Sequence, residues 1–94
     1  MMDLPQVELG GRTLRVAPAN LKTIKRWLKA QKETRVGTVE YLDEISNFVL
    51  ATLRIEQPDL TMDWLDEYLT EPNLPMVIAK IYEAGKIVAG ETRG

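Results

Sequence analysis

Pro18, Gly37, Pro58 and Pro72 punctuate the chain at intervals that leave room for one short element between each pair. A proline inside a helix removes a backbone hydrogen bond and clashes with the preceding turn, and glycine carries a large backbone entropy cost there. A fold for this sequence is therefore assembled from several short pieces rather than from one long helix or one extended sheet. Its 94 residues suffice for a single domain with one modest core, too small to add a deep substrate cavity.

The piece before Pro18 has period two. Gln6-Val7-Glu8-Leu9 and Arg12-Thr13-Leu14-Arg15-Val16 alternate around Gly10-Gly11, a pair that tolerates the positive φ angles of a two-residue hairpin turn. This register sets Val7 opposite Leu14 and Glu8 opposite Thr13. A lone hairpin is marginal in water, so it must lie on helices or pair with another chain.

The later pieces have the helical period. Asn20 is placed to cap a first helix over about 21–32, with Leu21, Ile24, Trp27 and Leu28 on one broad face and Lys22, Lys25, Arg26, Lys29 and Lys32 on the opposite one. Thr38 caps a second helix that is expected to reach about Glu56. Tyr41, Leu42, Ile45, Phe48, Val49, Thr52 and Leu53 form its inward face, and Val39 and Leu50 lie on the other side. Thr61 caps a short third helix to about Thr70, with Asp63 in its first turn and Leu60 positioned to staple against Leu65. Asn73 is expected to cap a fourth helix, in which Leu74, Val77, Ile78, Ile81 and Tyr82 keep the apolar rhythm until Gly85 closes it. The expected architecture is mainly α, of the α+β class: one domain over 1–94 with a hairpin at 6–17, a helical body at 20–85 and a mobile tail at 86–94.

Composition excludes much chemistry. With neither His nor Cys there is no imidazole base, no thiolate, no disulfide and no thiolate- or imidazole-ligated metal. Ser46 is the only serine, so a serine triad lacks both its base and a choice of nucleophile. The carboxylates Asp59, Asp63, Asp66, Glu67 and Glu71 do not follow a calcium-loop spacing. No catalytic, cofactor-binding or metal-ligating residue is assigned, and a non-enzymatic protein is expected. Met1–Asp3 opens no signal peptide and no apolar run approaches the roughly 20 residues that cross a bilayer, which predicts a soluble, cytoplasmic chain.

Charge is distributed unevenly. The net charge is −2, yet residues 1–37 hold eight Lys/Arg against three Asp/Glu, and residues 38–94 hold four against eleven. The basic face of the first helix suits phosphates, anionic lipid, an acidic protein or plain solvation. Overall acidity and the lack of interleaved aromatics argue against nucleic acid. A helix-turn-helix after Pro58 fails on residue type, because its second helix offers only Lys80 outside the apolar stripe. Trp64 and Tyr68, four residues apart, share one helix face. They serve either the core or, together with Val39 and Leu50, an assembly surface.

The order of these signals resembles a known family. Val7-Glu8-Leu9-Gly10-Gly11-Arg12-Thr13-Leu14-Arg15-Val16-Ala17-Pro18 is similar to the opening of many tail assembly chaperones of long-tailed phages, where a G-x-x-hydrophobic-x-V-x-P hairpin precedes a charged helix and then a long helix. Pro58-Asp59-Leu60-Thr61 before a short acidic helix, and an apolar last helix ending near a glycine as Leu74–Gly85 does, follow in the same order. The resemblance covers residues 6–85 and implies a phage or prophage protein without enzymatic activity or cofactor, working in the host bacterial cytoplasm. Such proteins coat the tape measure protein, leave as tube subunits polymerise, and are absent from the mature virion. They self-associate into rings or spirals, and some have a longer frameshifted form that contacts tail tube protein. No nucleic-acid or membrane partner is implied. The alternatives are a small helical adaptor or head–tail connector of the virion and, third, a DNA-binding regulator. For self-association or client binding the candidate residues are Lys22, Lys25, Arg26, Lys29, Val39, Leu50, Trp64 and Tyr68. A head-to-tail spiral needs two complementary patches on one subunit, and the basic first helix with the acidic later helices is the expected pair.

Overall fold

The computed structural model describes residues 3–89, with side chains described up to Lys86. It is a two-stranded antiparallel hairpin followed by four helices, the mainly α architecture that the periodicities predict. Strands β1 (Gln6–Leu9) and β2 (Arg12–Arg15) pair with Val7 opposite Leu14 and Glu8 opposite Thr13. Gly10 and Gly11 both have positive φ, 55° and 77°, as a two-residue turn that follows the strand twist requires. Val7, Leu9 and Leu14 are buried on one face, and the hairpin packs on its own helices.

Helix α1 (Leu21–Glu33) starts where Asn20 accepts a hydrogen bond from the Thr23 amide at 2.9 Å. Helix α2 (Val39–Leu53) is capped by Thr38 and α3 (Met62–Tyr68) by Thr61, each hydroxyl accepting from the amide three residues on. Helix α2 stops three residues short of the expected Glu56. Its ladder tightens as the Ile55 amide bonds back to Thr52, and the Gln57 side chain takes the Leu53 carbonyl at 2.7 Å. The residue before Pro58 is also disfavoured in helical geometry.

Helix α4 spans Leu74–Ala89 and passes through Gly85, which does not close it. Gly85 has ordinary negative-φ geometry, and Ala84 beside it is fully buried, so packing holds the helix through a residue of poor propensity. The expected tail at 86–94 is thus helical as far as Ala89, and the rest lies outside the described residues. Asn73 does not cap α4 in the forward sense. Its side chain accepts from the Thr70 amide at 2.7 Å and donates to the Tyr68 carbonyl at 3.1 Å, while the Thr70 hydroxyl accepts from the Asn73 amide. This reciprocal box ends α3 and starts the turn into α4.

One core joins all six elements: Leu14 from the hairpin, Trp27 from α1, Phe48, Val49 and Leu53 from α2, Leu65 from α3, and Val77 and Ile81 from α4. Leu60, just before α3, is buried as well. Trp27 stacks on Phe48 with ring centres 5.3 Å apart, and Phe48 in turn meets Tyr82 at 6.4 Å. Thr52, buried in this core, donates its hydroxyl to the Phe48 carbonyl. Among the described residues no helix is long and apolar enough to cross a membrane.

Candidate interaction surface

The orientation of α1 decides what the molecule displays. Of the expected Leu21–Ile24–Trp27–Leu28 stripe, Trp27 is buried together with Ala30 and Ile24 is half-buried, whereas Leu21 and Leu28 turn outward, onto the same side as Lys25 and Lys32 and not opposite them. Leu21 is 64% exposed and Leu28 is 52% exposed. Ala30 is small enough to let the α1 and α2 backbones approach, and Trp27 buries the largest apolar area available on α1. Arg26 fixes the rotation further by reaching α2, where its guanidinium donates to both oxygens of Glu44 at 3.0 and 3.1 Å. These hydrogen bonds hold the Glu44 carboxyl below its usual range and push the guanidinium pKa up. Arg26 is therefore a bridge within the chain. Lys22, Lys25, Lys29 and Lys32 stay exposed, with no ion pair among the described residues.

Two further ion pairs tie the basic segment to the acidic one. Arg12 makes a two-pronged contact with Asp59 at 3.0 and 3.4 Å, and Arg15 lies 3.8 Å from Glu56. The hydrogen bond from Arg12 lowers the Asp59 carboxyl pKa. Part of the charge polarity thus closes the fold on itself. Beside these pairs, Gln57 accepts from the Arg15 amide at 2.7 Å and donates to the Arg15 carbonyl at 3.1 Å.

The hairpin turn also takes up the aromatic pair of α3. The Trp64 and Tyr68 rings lie 5.1 Å apart, tilted by 49°, and the Arg12 guanidinium sits 5.6 Å from the Trp64 ring centre. A methyl group on Gly10 would come within 2.7 Å of Tyr68 Cγ and 3.0 Å of Trp64 Cζ2. Trp64 is half-buried in this contact, while Tyr68 keeps 41% of its surface exposed. Leu50 is partly buried against the core, and Val39 stays 69% exposed. The expected assembly face of Val39, Leu50, Trp64 and Tyr68 is therefore divided. Leu50 serves the core and Trp64 holds the hairpin, because each meets a neighbour that is distant in sequence.

A cleft of about 650 Å³ lies where the α1–α2 loop, the first half of α2 and the end of α3 meet. Val36, Tyr41, Leu42, Leu69 and Leu74 supply its apolar lining, and its charged residues are the carboxylates Asp66 and Glu71. None of these was singled out as a site residue from the sequence. The one local signal was Val36, an apolar residue beside the chain-breaking Gly37. A second hollow between α1 and α2 is lined by Trp27, whose indole N–H is buried without a hydrogen-bond partner among the described residues. No group of three or more acidic side chains gathers as a metal site among the described residues.

Comparison with family models, curated proteins and solved structures returns no match to this chain.

Proposed function

We propose that this chain is a phage tail assembly chaperone, a non-enzymatic protein that self-associates and holds the tape measure protein soluble in the host cytoplasm until tail tube subunits replace it. The observation that carries the reading is the display of large apolar side chains outside the core: Leu21 and Leu28 on α1, Val36 and Leu42 at the cleft, Val39 at the start of α2, and Tyr82 on α4. A holdase for a long helical client works through many weak, reversible apolar contacts repeated along it, and needs neither cofactor nor deep cavity. The resemblance of residues 6–85 to this family supports the same reading.

The test is co-expression with a tape measure protein of a long-tailed phage. Rescue of that protein's solubility, and its co-purification with this chain, are expected. A client that stays insoluble and does not co-purify refutes the reading.

A further inference from the structure

Two surfaces of this chain are complementary to each other, and they do not overlap. The first is the outer face of α1, where Leu21 and Leu28 stand two turns apart, about 10.5 Å along the axis. Lys25 and Lys32 lie within the same arc of the helix, exposed and without an ion-pair partner among the described residues. The second is the cleft with apolar Val36, Leu42 and Leu69 and the carboxylates Asp66 and Glu71. No α1 residue lines it, so one chain presents both the helix and its receptor.

We infer that the outer face of α1 from one copy seats in the Val36–Leu42–Leu69 cleft of another, with Leu21 and Leu28 as anchors and Lys25 and Lys32 facing Asp66 and Glu71. An amphipathic helix laid into an apolar groove is a common recognition mode, with anchors at helical spacing and rim charges that set register. Arg26 is turned away to Glu44, so the lysines, not the arginine, make the charged contact. The contact joins two different patches, so it is head-to-tail and propagates into a ring or an open spiral. Charge complementarity favours a second copy over other occupants: the cleft is acidic, and this helix combines basic and apolar residues on its solvent face. The inference rests on the self-association part of the proposed function and is independent of the identity of the client.

The test uses the full chain in sedimentation velocity over a range of concentrations and salt, with far-UV circular dichroism to confirm the fold. Helix-face variant L28Q/K25E and cleft variant L42Q/D66N alter exposed residues only, and the two altered surfaces do not restore a charge pair between them. Each is expected to weaken self-association at least about tenfold, and raised salt is expected to weaken the wild type. Mixing the two variants is expected to give one-to-one heterodimers and nothing larger, because each retains one intact surface. The inference is overturned if the wild type is monomeric throughout, if either variant associates like the wild type, or if the mixture stays monomeric. It is also overturned if the cleft variant loses only client capture and keeps its oligomers, since the cleft then belongs to the client. Oligomers that respond as expected while the wild type fails to capture client support this contact and refute the chaperone reading alone.

Discussion

Replacing Gly10 with alanine tests how the hairpin is held on the helical body. Gly10 and Gly11 occupy the same turn, both with positive φ, but only Gly10 touches another element. An alanine in this region costs about 1–2 kcal/mol, offset by about 0.4–1 kcal/mol from the narrower unfolded ensemble. Gly11→Ala meets nothing within 4 Å and is expected to destabilise by about 1 kcal/mol. Gly10→Ala carries the same backbone cost and also places its methyl 2.7 Å from Tyr68 Cγ and 2.8 Å from Cδ2. Relieving that overlap requires the Trp64–Tyr68 pair to shift off the turn, an overpacking cost of about 1–3 kcal/mol. The total is about 2–4 kcal/mol, or a fall of roughly 1–3 M in the urea midpoint at the slope of a small domain. Urea unfolding followed by tryptophan fluorescence and circular dichroism measures both variants. In a Tyr68→Ala background the extra cost of Gly10→Ala is expected to fall toward that of Gly11→Ala. Equal costs for the two glycine variants in the wild-type background would refute the reasoning, and the α3 aromatics would then not be what seats the hairpin.

Gly85→Ala is expected to stabilise the chain by about 0.5–1 kcal/mol, because Gly85 is a helix-interior residue with open space around it, and the melting temperature should rise by several degrees. A drop in melting temperature would mean that α4 ends there after all. Glu44 and Asp59 both have carboxyl pKa values lowered by arginine hydrogen bonds, so their contribution is complete above the unfolded value of about 4.3 or 3.9 and is lost as pH falls through the lower folded values. The double variant E44Q/D59N should therefore show a flatter fall in urea midpoint between pH 5 and about pH 2 than the wild type does. At neutral pH, Glu44→Gln alone should cost no more than about 1 kcal/mol, since Arg26 is 62% exposed; a larger loss would show that the bridge also sets the packing of α1.

The features legible in the sequence are those whose causes are local. Asn20, Thr38 and Thr61 cap helices because a side-chain oxygen reaches an amide three residues on, and Gly10-Gly11 sets the hairpin register because the turn admits few residue types. The rotation of α1 was legible only in part: Trp27 is buried as expected, while Leu21 and Leu28 are not. A count of apolar residues gives weight to Leu21 and Leu28 and none to Ala30, yet close approach of two helices depends on the small residue. The pairing of Trp64 with Tyr68 followed from their spacing, whereas their seat under Gly10 depends on a contact across more than fifty positions of sequence. The cleft is less legible still, for it gathers Val36 and Leu69 from two loops and Leu42 from α2, and no window of sequence contains them together. For Gly85, the local signal for termination was real but weaker than the burial of Ala84 and its neighbours on α4.

Gln57 gives the hairpin a property that its two strands alone would lack. With its amide donating to the Arg15 carbonyl and accepting from the Arg15 N–H, one side chain stands in for a residue of a third strand. The outer edge of β2 is blocked at that point, and the blocking group is anchored to the end of α2 through the Leu53 carbonyl. Open strand edges recruit other chains indiscriminately, and a plugged one does not. At Arg15, therefore, another chain cannot extend the hairpin through a backbone ladder. Contact with another chain at that point is left to side chains.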